Sequence, residues 1–128
     1  MRVSILHVGL PLNHPTIPIE ERPKVTRRLA EIQQTMKDAG YDYEIFCISP
    51  ESGLEDFRSQ LKMRSVHGVL IGGGVASQPA MTYFMEQIVD VTHEVAPHVK
   101  IMFYNHAVTV RATVERWFPS PSINGSVR

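Results

Sequence analysis

Three consecutive glycines, Gly72, Gly73 and Gly74, end a short apolar run and are followed closely by Ser77. Pro79 follows two residues after Ser77, and proline is common in the first turn of a helix. The pattern predicts a strand, a tight turn and a helix start, and we call residues 72–77 the glycine turn. Backbone N–H groups at a helix start favour a phosphate or carboxylate, and the Ser77 hydroxyl could donate a further hydrogen bond. An equally weighted alternative is a turn that needs glycine only for its backbone angles.

Two histidines stand in loops that follow predicted strands. His14 lies beside Asn13 in a long proline-rich segment, and His106 directly follows Asn105 after the fourth strand. Because imidazoles titrate near neutral pH, His14, His106 and the adjacent Asn105 are candidate catalytic residues for proton transfer. Asn13 is a candidate ligand-binding residue. For each histidine, bonding to backbone or solvent alone is the simpler alternative. His7 alternates with apolar residues along the first strand and is expected to be a core histidine.

Other chemical signals in the chain are weaker. The glycine turn is neither a G-x-G-x-x-G fingerprint nor a P-loop, because no Lys-Ser or Lys-Thr pair follows it. No H-x-H or H-E-x-x-H pattern indicates a metal site, and we expect neither a metal nor a cofactor. Cys47 is the single cysteine, which excludes an internal disulfide. Its place in the second predicted strand favours a small buried apolar residue over a nucleophile.

Length and charge bound the function further. The 128 residues predict one domain, and 13 basic residues balance 13 acidic ones. The lack of a basic stripe argues against nucleic acid or a membrane surface as partner. No apolar stretch is long enough to span a membrane. Together with the single cysteine, which fits a reducing compartment, these features predict a cytoplasmic protein.

Alternating strand and helix patterns predict the elements that position these residues. Strands are predicted at residues 3–8, 43–48, 68–71 and 99–104. Apolar residues at helical spacing follow each strand, and in the first helix they are Val25, Leu29, Ile32 and Met36. Such alternation gives a parallel sheet with helices on both faces. We predict an α/β fold over residues 1–118, a three-layer α/β/α sandwich whose four-stranded parallel sheet has the order 2-1-3-4, followed by a flexible tail or arm at 119–128.

Local signals predict where individual helices begin and end. Gly40 is expected to stop the first helix. Ser52 and Glu55 have the spacing of a capping box at the start of the second helix. Val110, Val114 and Trp117 are spaced as one face of the last helix.

The predicted order of elements resembles the flavodoxin-like doubly wound superfold. Phosphorelay receivers have acidic residues after the first strand and an aspartate after the third, where this chain has Gly9 and the glycine turn. Flavodoxins have a Ser/Thr-rich phosphate loop after the first strand, which is absent here. Asn13 and the Asn105-His106 pair are similar to loops of the type II dehydroquinases. The lid tyrosine and arginine of that family have no equivalents here, and Gly73 replaces its loop asparagine, so no family is assigned.

Parallel strands deliver the loops that follow them to one edge of a sheet. We therefore expect Asn13, His14, the glycine turn, Asn105 and His106 to converge on a site at that edge. One function class is the binding of a small phosphate- or carboxylate-bearing metabolite, with lyase or hydrolase chemistry by the histidines. The other is a non-catalytic ligand-binding module or a homo-oligomeric assembly module.

A homodimer is expected in either case. The outer strands of a four-stranded sheet expose unpaired backbone groups. Trp117, Phe118 and several methionines add apolar surface. Most soluble oligomers are symmetric, and two-fold dimers are the commonest.

Overall fold

The computed structural model of the protein describes residues 2–120, in which four strands and five helices alternate. The strands are β1 (Ser4–Gly9), β2 (Asp42–Cys47), β3 (Gly68–Ile71) and β4 (Lys100–Phe103). The helices are α1 (Arg22–Asp38), α2 (Leu54–Met63), α3 (Gly73–Ala76), α4 (Thr82–Val95) and α5 (Val110–Glu115). Single 3-10 turns at Ile19–Glu21 and Pro79–Met81 directly precede α1 and α4.

The four strands form one sheet in the order β2-β1-β3-β4, and every pair is parallel. Both the order and the strand directions confirm the prediction. All four residues of β3 are buried because this strand lies inside the sheet with helices on both faces.

Two apolar cores lie on opposite faces of the sheet and give the three layers. Leu6 and Val8 of β1 pack with side chains of α2, α3 and α4, whereas Ile5 packs with side chains of α1 and α5. The alternation along β1 follows from the two-residue period of a strand. Among residues 2–120, no helix combines the length and the apolarity that crossing a membrane requires.

The end of α1 confirms the role of Gly40, which has a φ of 97°. The Gly40 N–H donates to the Lys37 carbonyl and the Tyr41 N–H donates to the Met36 carbonyl. These two bonds form a Schellman motif, which satisfies carbonyls at the helix end. Met36 and Tyr41 are both fully buried in the same core, so the motif also anchors this end of the helix.

The starts of α2 and α4 differ from prediction. α2 begins at Leu54 with Gly53 at its N-cap, and no side chain bonds to the cap, so the capping box predicted at Ser52 is wrong. A Cβ on Gly53 would lie 2.5 Å from the Ser49 backbone nitrogen, so only glycine fits at the cap. The single helix predicted after β3 is divided into α3, a 3-10 turn with Pro79 near its start, and α4.

Cys47 and Trp117 are both exposed, although burial was expected for Cys47. Cys47 is exposed because it ends β2, which is an edge strand. Trp117 is 50% exposed because α5 ends at Glu115. The Lys100 ammonium group lies over the Trp117 ring, 4.1 Å from the centre of the ring, in a cation–π contact.

The chain after α5 returns to the carboxyl end of α1. The Ser120 hydroxyl donates to the Ala39 carbonyl at 3.0 Å, and the Tyr41 hydroxyl donates to the Phe118 carbonyl. Ser120 is buried, so the chain packs on the domain as far as its last described residue, and the boundary at residue 118 stays a prediction. The rest of the predicted tail, residues 121–128, lies outside the described residues.

Candidate functional site

A cavity of about 290 Å³ lies at the carboxyl edge of the sheet, between α1 and the ends of the strands. His7 and Gly9 of β1 and Ile45 and Cys47 of β2 form part of one wall. The glycine turn forms another part, together with Tyr104 and His106 after β4. The convergence of the glycine turn with His106 is the arrangement expected from the parallel strands.

The backbone of the glycine turn passes directly from β3 into α3. The Gly72 carbonyl accepts hydrogen bonds from the N–H groups of Val75 and Ala76. Gly73 and Gly74 are the first two residues of α3, and N–H groups at this position have no carbonyl partner within their own helix. Gly40 is the one glycine with a positive φ among residues 2–120, so the angles of the turn do not require glycine.

What requires glycine in this turn is the space occupied by two imidazoles. A Cβ on Gly72 would lie 2.7 Å from Nε2 of His7, and a Cβ on Gly73 would overlap the ring of His106. A Cβ on Gly74 would meet Leu10 at an ordinary 3.8 Å. The first two glycines therefore bring the turn into close contact with two histidines.

His7 is a buried histidine at the wall of the cavity. Its side chain is 4% exposed, and its Nδ1 lies 2.5 Å from the Tyr43 hydroxyl. Burial lowers the pKa of His7 to about 4 and raises the pKa of Tyr43, so both groups are neutral at pH 7. The expected core position is confirmed, but sequence reasoning missed the contact with the cavity. Periodicity places His7 and Gly9 on one face of β1, but it does not show that a cavity lies over that face.

His106 and Asn105 have different roles in the loop after β4. His106 is exposed and lies in the left-handed region with a φ of 71°, and its ring centre is 4.6 Å from that of Tyr104. The Asn105 side-chain oxygen accepts a hydrogen bond from the Ala107 N–H at 3.0 Å. Asn105 therefore shapes the loop that presents His106, and it is not part of the cavity wall.

The structure places His14 and Asn13 outside the cavity wall. His14 is 7% exposed, its Nδ1 is 3.0 Å from the Thr16 hydroxyl, and its Nε2 has no hydrogen-bond partner. The nearest acidic group is Glu51, whose Oε2 is 3.6 Å from that Nε2. Asn13 is exposed, and its carbonyl accepts from Arg22 at 3.4 Å. The turn at His14, whose N–H donates to the Pro11 carbonyl, directs this imidazole toward the loop after β2.

Charges at the cavity favour an anion. Arg28 and Glu21 of the α1 region both line it. The Glu21 carboxylate is 3.7 Å from the Lys24 ammonium, whereas Arg28 takes part in none of the ion pairs formed within residues 2–120. A guanidinium without a carboxylate partner leaves the cavity with a positive group. Ser77 also lines the cavity, and its hydroxyl donates to the Gly73 carbonyl.

Across the described part of the chain, no three His, Cys, Asp or Glu side chains come together in a way that could hold a metal ion. The cavity wall itself contains His7, Cys47, Glu21 and His106, and they do not form such a group. At the glycine turn, the imidazoles of His7 and His106 and the side chains of Ser77 and Gln78 line the cavity beside the backbone amides.

Comparison with known proteins identifies a shared architecture. A solved structure described as the solution structure of a phosphate-loop protein is similar to this chain, with a TM-score of 0.57 and 18% sequence identity. The similarity covers 96% of this chain and 94% of that chain. No family model matches the sequence, and no curated protein matches it. The comparison supports a Rossmann-like α/β fold.

Proposed function

We propose that this protein binds a small phosphate- or carboxylate-bearing metabolite at the carboxyl edge of its sheet. The observation that carries the proposal is the close packing of two imidazoles, His7 and His106, against the glycine turn. The N–H groups of Gly73 and Gly74 begin α3 beside these rings. Anionic oxygen atoms accept hydrogen bonds from such N–H groups and imidazoles.

Charge and architecture support an anionic ligand. Arg28 supplies a guanidinium at the cavity, and charge-assisted hydrogen bonds to phosphate or carboxylate are stronger than neutral ones. The structurally similar protein is described as a phosphate-loop protein, which is consistent with an anion at this edge. In parallel α/β sheets, ligands generally bind outside the carboxyl ends of the strands.

The same geometry supports lyase or hydrolase chemistry by proton transfer, with His106 as the exposed imidazole that exchanges protons. His7 is held neutral at pH 7 by its lowered pKa of about 4, so we assign it a hydrogen bond to the ligand. Asn105 presents His106 through its bond to the Ala107 N–H. His14 and Asn13 remain predicted site residues. They do not line the cavity, so the loop after β1 would have to move for them to reach a ligand there.

The binding proposal is tested by titrating the protein with inorganic phosphate. The signals of the backbone amides and histidine rings are monitored during the titration by two-dimensional NMR. We expect the largest shifts at Gly73, Gly74 and the ring of His106. Arg28→Ala should weaken binding about three- to tenfold, because it removes the positive group at the cavity. Arg27→Ala is the matched control, since Arg27 is an exposed neighbour outside the cavity wall. Shifts confined to other regions, or equal effects of both variants, would contradict the proposal.

A specific surface favours the second candidate function, assembly as a homodimer. β4 pairs only with β3, so its outer edge is unpaired within residues 2–120. Beside this edge, Met85 and Val89 of α4 and the 45% exposed Phe103 line a groove of about 330 Å³. Two copies related by a two-fold axis could pair their β4 strands and cover both grooves. Light scattering at micromolar concentration tests this proposal, and a monomer mass would refute it.

A further inference from the structure

Part of the cavity wall that α1 forms is apolar, although Glu21 and Arg28 also line the cavity. Val25, Leu29 and Ile32 form one stripe of α1 and are half-buried, although Met36 on the same stripe is fully buried. All three half-buried side chains line the cavity. Val25 and Leu29 therefore face the cavity and belong to neither core, whereas Ile32 lines the cavity and also packs against the core that contains Met36. A ligand that covered them would gain the free energy of apolar burial.

The facing wall leaves room for a ligand group. Gly9 stands two residues after His7, so the two residues share one side of β1. A Cβ built on Gly9 would have no atom within 4 Å, which means that glycine leaves open space there. The half-buried Ile45 of β2 lines the same cavity.

The chemistry of these walls discriminates between ligands. The side chains of Val25, Leu29, Ile32 and Ile45 have no hydrogen-bonding groups. Sugar hydroxyls placed against them would lose hydrogen bonds to water without replacement, which is unfavourable. A phenyl ring or a short branched alkyl group would lose none.

We propose that the bound metabolite is amphiphilic, with its phosphate or carboxylate at the glycine turn and a compact apolar body against α1. This inference rests on the proposed function, because the glycine turn must hold the anion. The cavity of about 290 Å³ lies at the lower end of the range of small-molecule sites, about 300–1,000 Å³. A single ring with one anionic group suits this volume better than a dinucleotide.

The test compares three probes by calorimetry: inorganic phosphate, glycerol phosphate and phenyl phosphate. Phenyl phosphate should bind at least tenfold more tightly than the other two, because its ring alone covers the apolar walls. Cys47 gives an independent measurement, since it is the chain's single cysteine, is exposed and lines the cavity. Phenyl phosphate should slow the reaction of its thiol with dithiodipyridine more than inorganic phosphate does.

A pair of variants tests whether the apolar part of the ligand lies beside Gly9. Gly9→Val fills the open space on β1 and should remove most of the advantage of phenyl phosphate over inorganic phosphate. Ala30→Val adds methyl groups on an exposed position of α1 outside the cavity wall and should leave that advantage unchanged. If Gly9→Val does not fold, Leu29→Ser replaces an apolar wall side chain by a polar one and should reduce the same advantage.

The outcomes separate this inference from the proposed function. Equal affinities for phenyl phosphate and inorganic phosphate would overturn the inference and leave the proposed function standing. Failure of all three probes to bind would overturn both. Phenol, measured as a further control beside these three probes, should bind more weakly than phenyl phosphate. Equal binding of the two would also overturn both, because the anion would then contribute nothing.

Discussion

At the scale of single residues, His7 combines burial with a place at the ligand cavity. Its hydrogen bond to Tyr43 fixes the ring, and burial disfavours its protonated form. The ring can therefore present Nε2 to a ligand without changing charge around neutral pH. A neutral imidazole in a fixed orientation can donate or accept a hydrogen bond, according to its tautomer.

The lowered pKa of His7 predicts a specific dependence of stability on pH. An unperturbed histidine has a pKa of 6.5, whereas the pKa of His7 in the folded protein is about 4. Between these values the unfolded chain binds more protons, so the free energy of unfolding falls as pH falls from about 6.5 to 4. The part of this fall in the free energy of unfolding that comes from His7 is about 3 kcal/mol. Urea denaturation across this range should show a weaker pH dependence for His7→Asn, and the same dependence in both proteins would contradict the assignment.

The three glycines of the turn should respond differently to alanine. Gly72→Ala should cost about 1–3 kcal/mol, because its Cβ would meet the buried His7 ring and the Val8 carbonyl. Gly73→Ala should displace the exposed His106 ring with little loss of stability, visible as a change in that ring's NMR signals. The Cβ of Gly74→Ala would make only an ordinary contact with Leu10, so this variant should be neutral or stabilising by up to about 1 kcal/mol. Equal effects at all three positions would contradict this packing of the turn against the two imidazoles.

The sequence predicted part of the site, and the difference has a physical origin. The glycine turn and His106 were predicted correctly to converge because both directly follow parallel strands. His14 was expected beside them, but it lies several residues beyond β1, where turns of the loop and not the strand decide its direction. Periodicity alone gives the face of β1 that carries His7. It does not show that α1 leaves a cavity over that face.

At the scale of elements, α1 has two differently packed ends. Its carboxyl end is fixed by the Schellman motif at Gly40 and by the buried Met36. Its amino-terminal half borders the cavity through Val25 and Leu29. An amphipathic stripe predicts which face turns inward, but a helix tilted away from the sheet has the same stripe as one packed against it.

Gly40→Ala tests the anchored end of α1. At a φ of 97°, alanine is strained in a way that glycine is not, and we expect a loss of about 1–2 kcal/mol in the free energy of unfolding. Gly9→Ala is the matched control, because Gly9 lacks a positive φ and its new Cβ would meet no atom within 4 Å. Chemical denaturation of both variants gives the comparison. Equal stability of the two would show that the left-handed conformation is not what requires glycine at position 40.

At the scale of the whole molecule, the alternation of strands and helices and the parallel direction of the strands were the most predictable features. Four apolar runs separated by helical patterns leave few topologies, since parallel crossovers are right-handed and need a helix. The predicted order β2-β1-β3-β4, which is one of the orders that these constraints allow, is the order found. Exposure at the edges was less predictable. The predicted order placed the second strand at the edge, but its predicted range of 43–48 put Cys47 inside the strand, whereas Cys47 is the last residue of β2 and is exposed.

The proposed dimer depends on the apolar groove beside β4. Phe103→Lys removes the aromatic ring from that groove, which Glu86 and Asp90 also line, and should give a monomer by light scattering at concentrations where the unmodified protein is a dimer. Tyr83→Lys is the matched control, because Tyr83 is 72% exposed on α4 and does not line the groove. Dimers of Phe103→Lys would place the interface elsewhere.

The packing of His7 against Gly72 also has a consequence for how related sequences can diverge. Because Gly72 has no positive φ, the constraint on position 72 comes from its neighbours and not from its own backbone angles; the closest is the His7 ring, and the Val8 carbonyl is the next. Positions 7 and 72 should therefore change together, with alanine or serine at 72 accompanying a smaller residue at 7. Position 73 should vary with 106 in the same way, whereas position 74 should vary independently. Such paired substitutions would identify, from sequences alone, which relatives retain the two imidazoles at this edge.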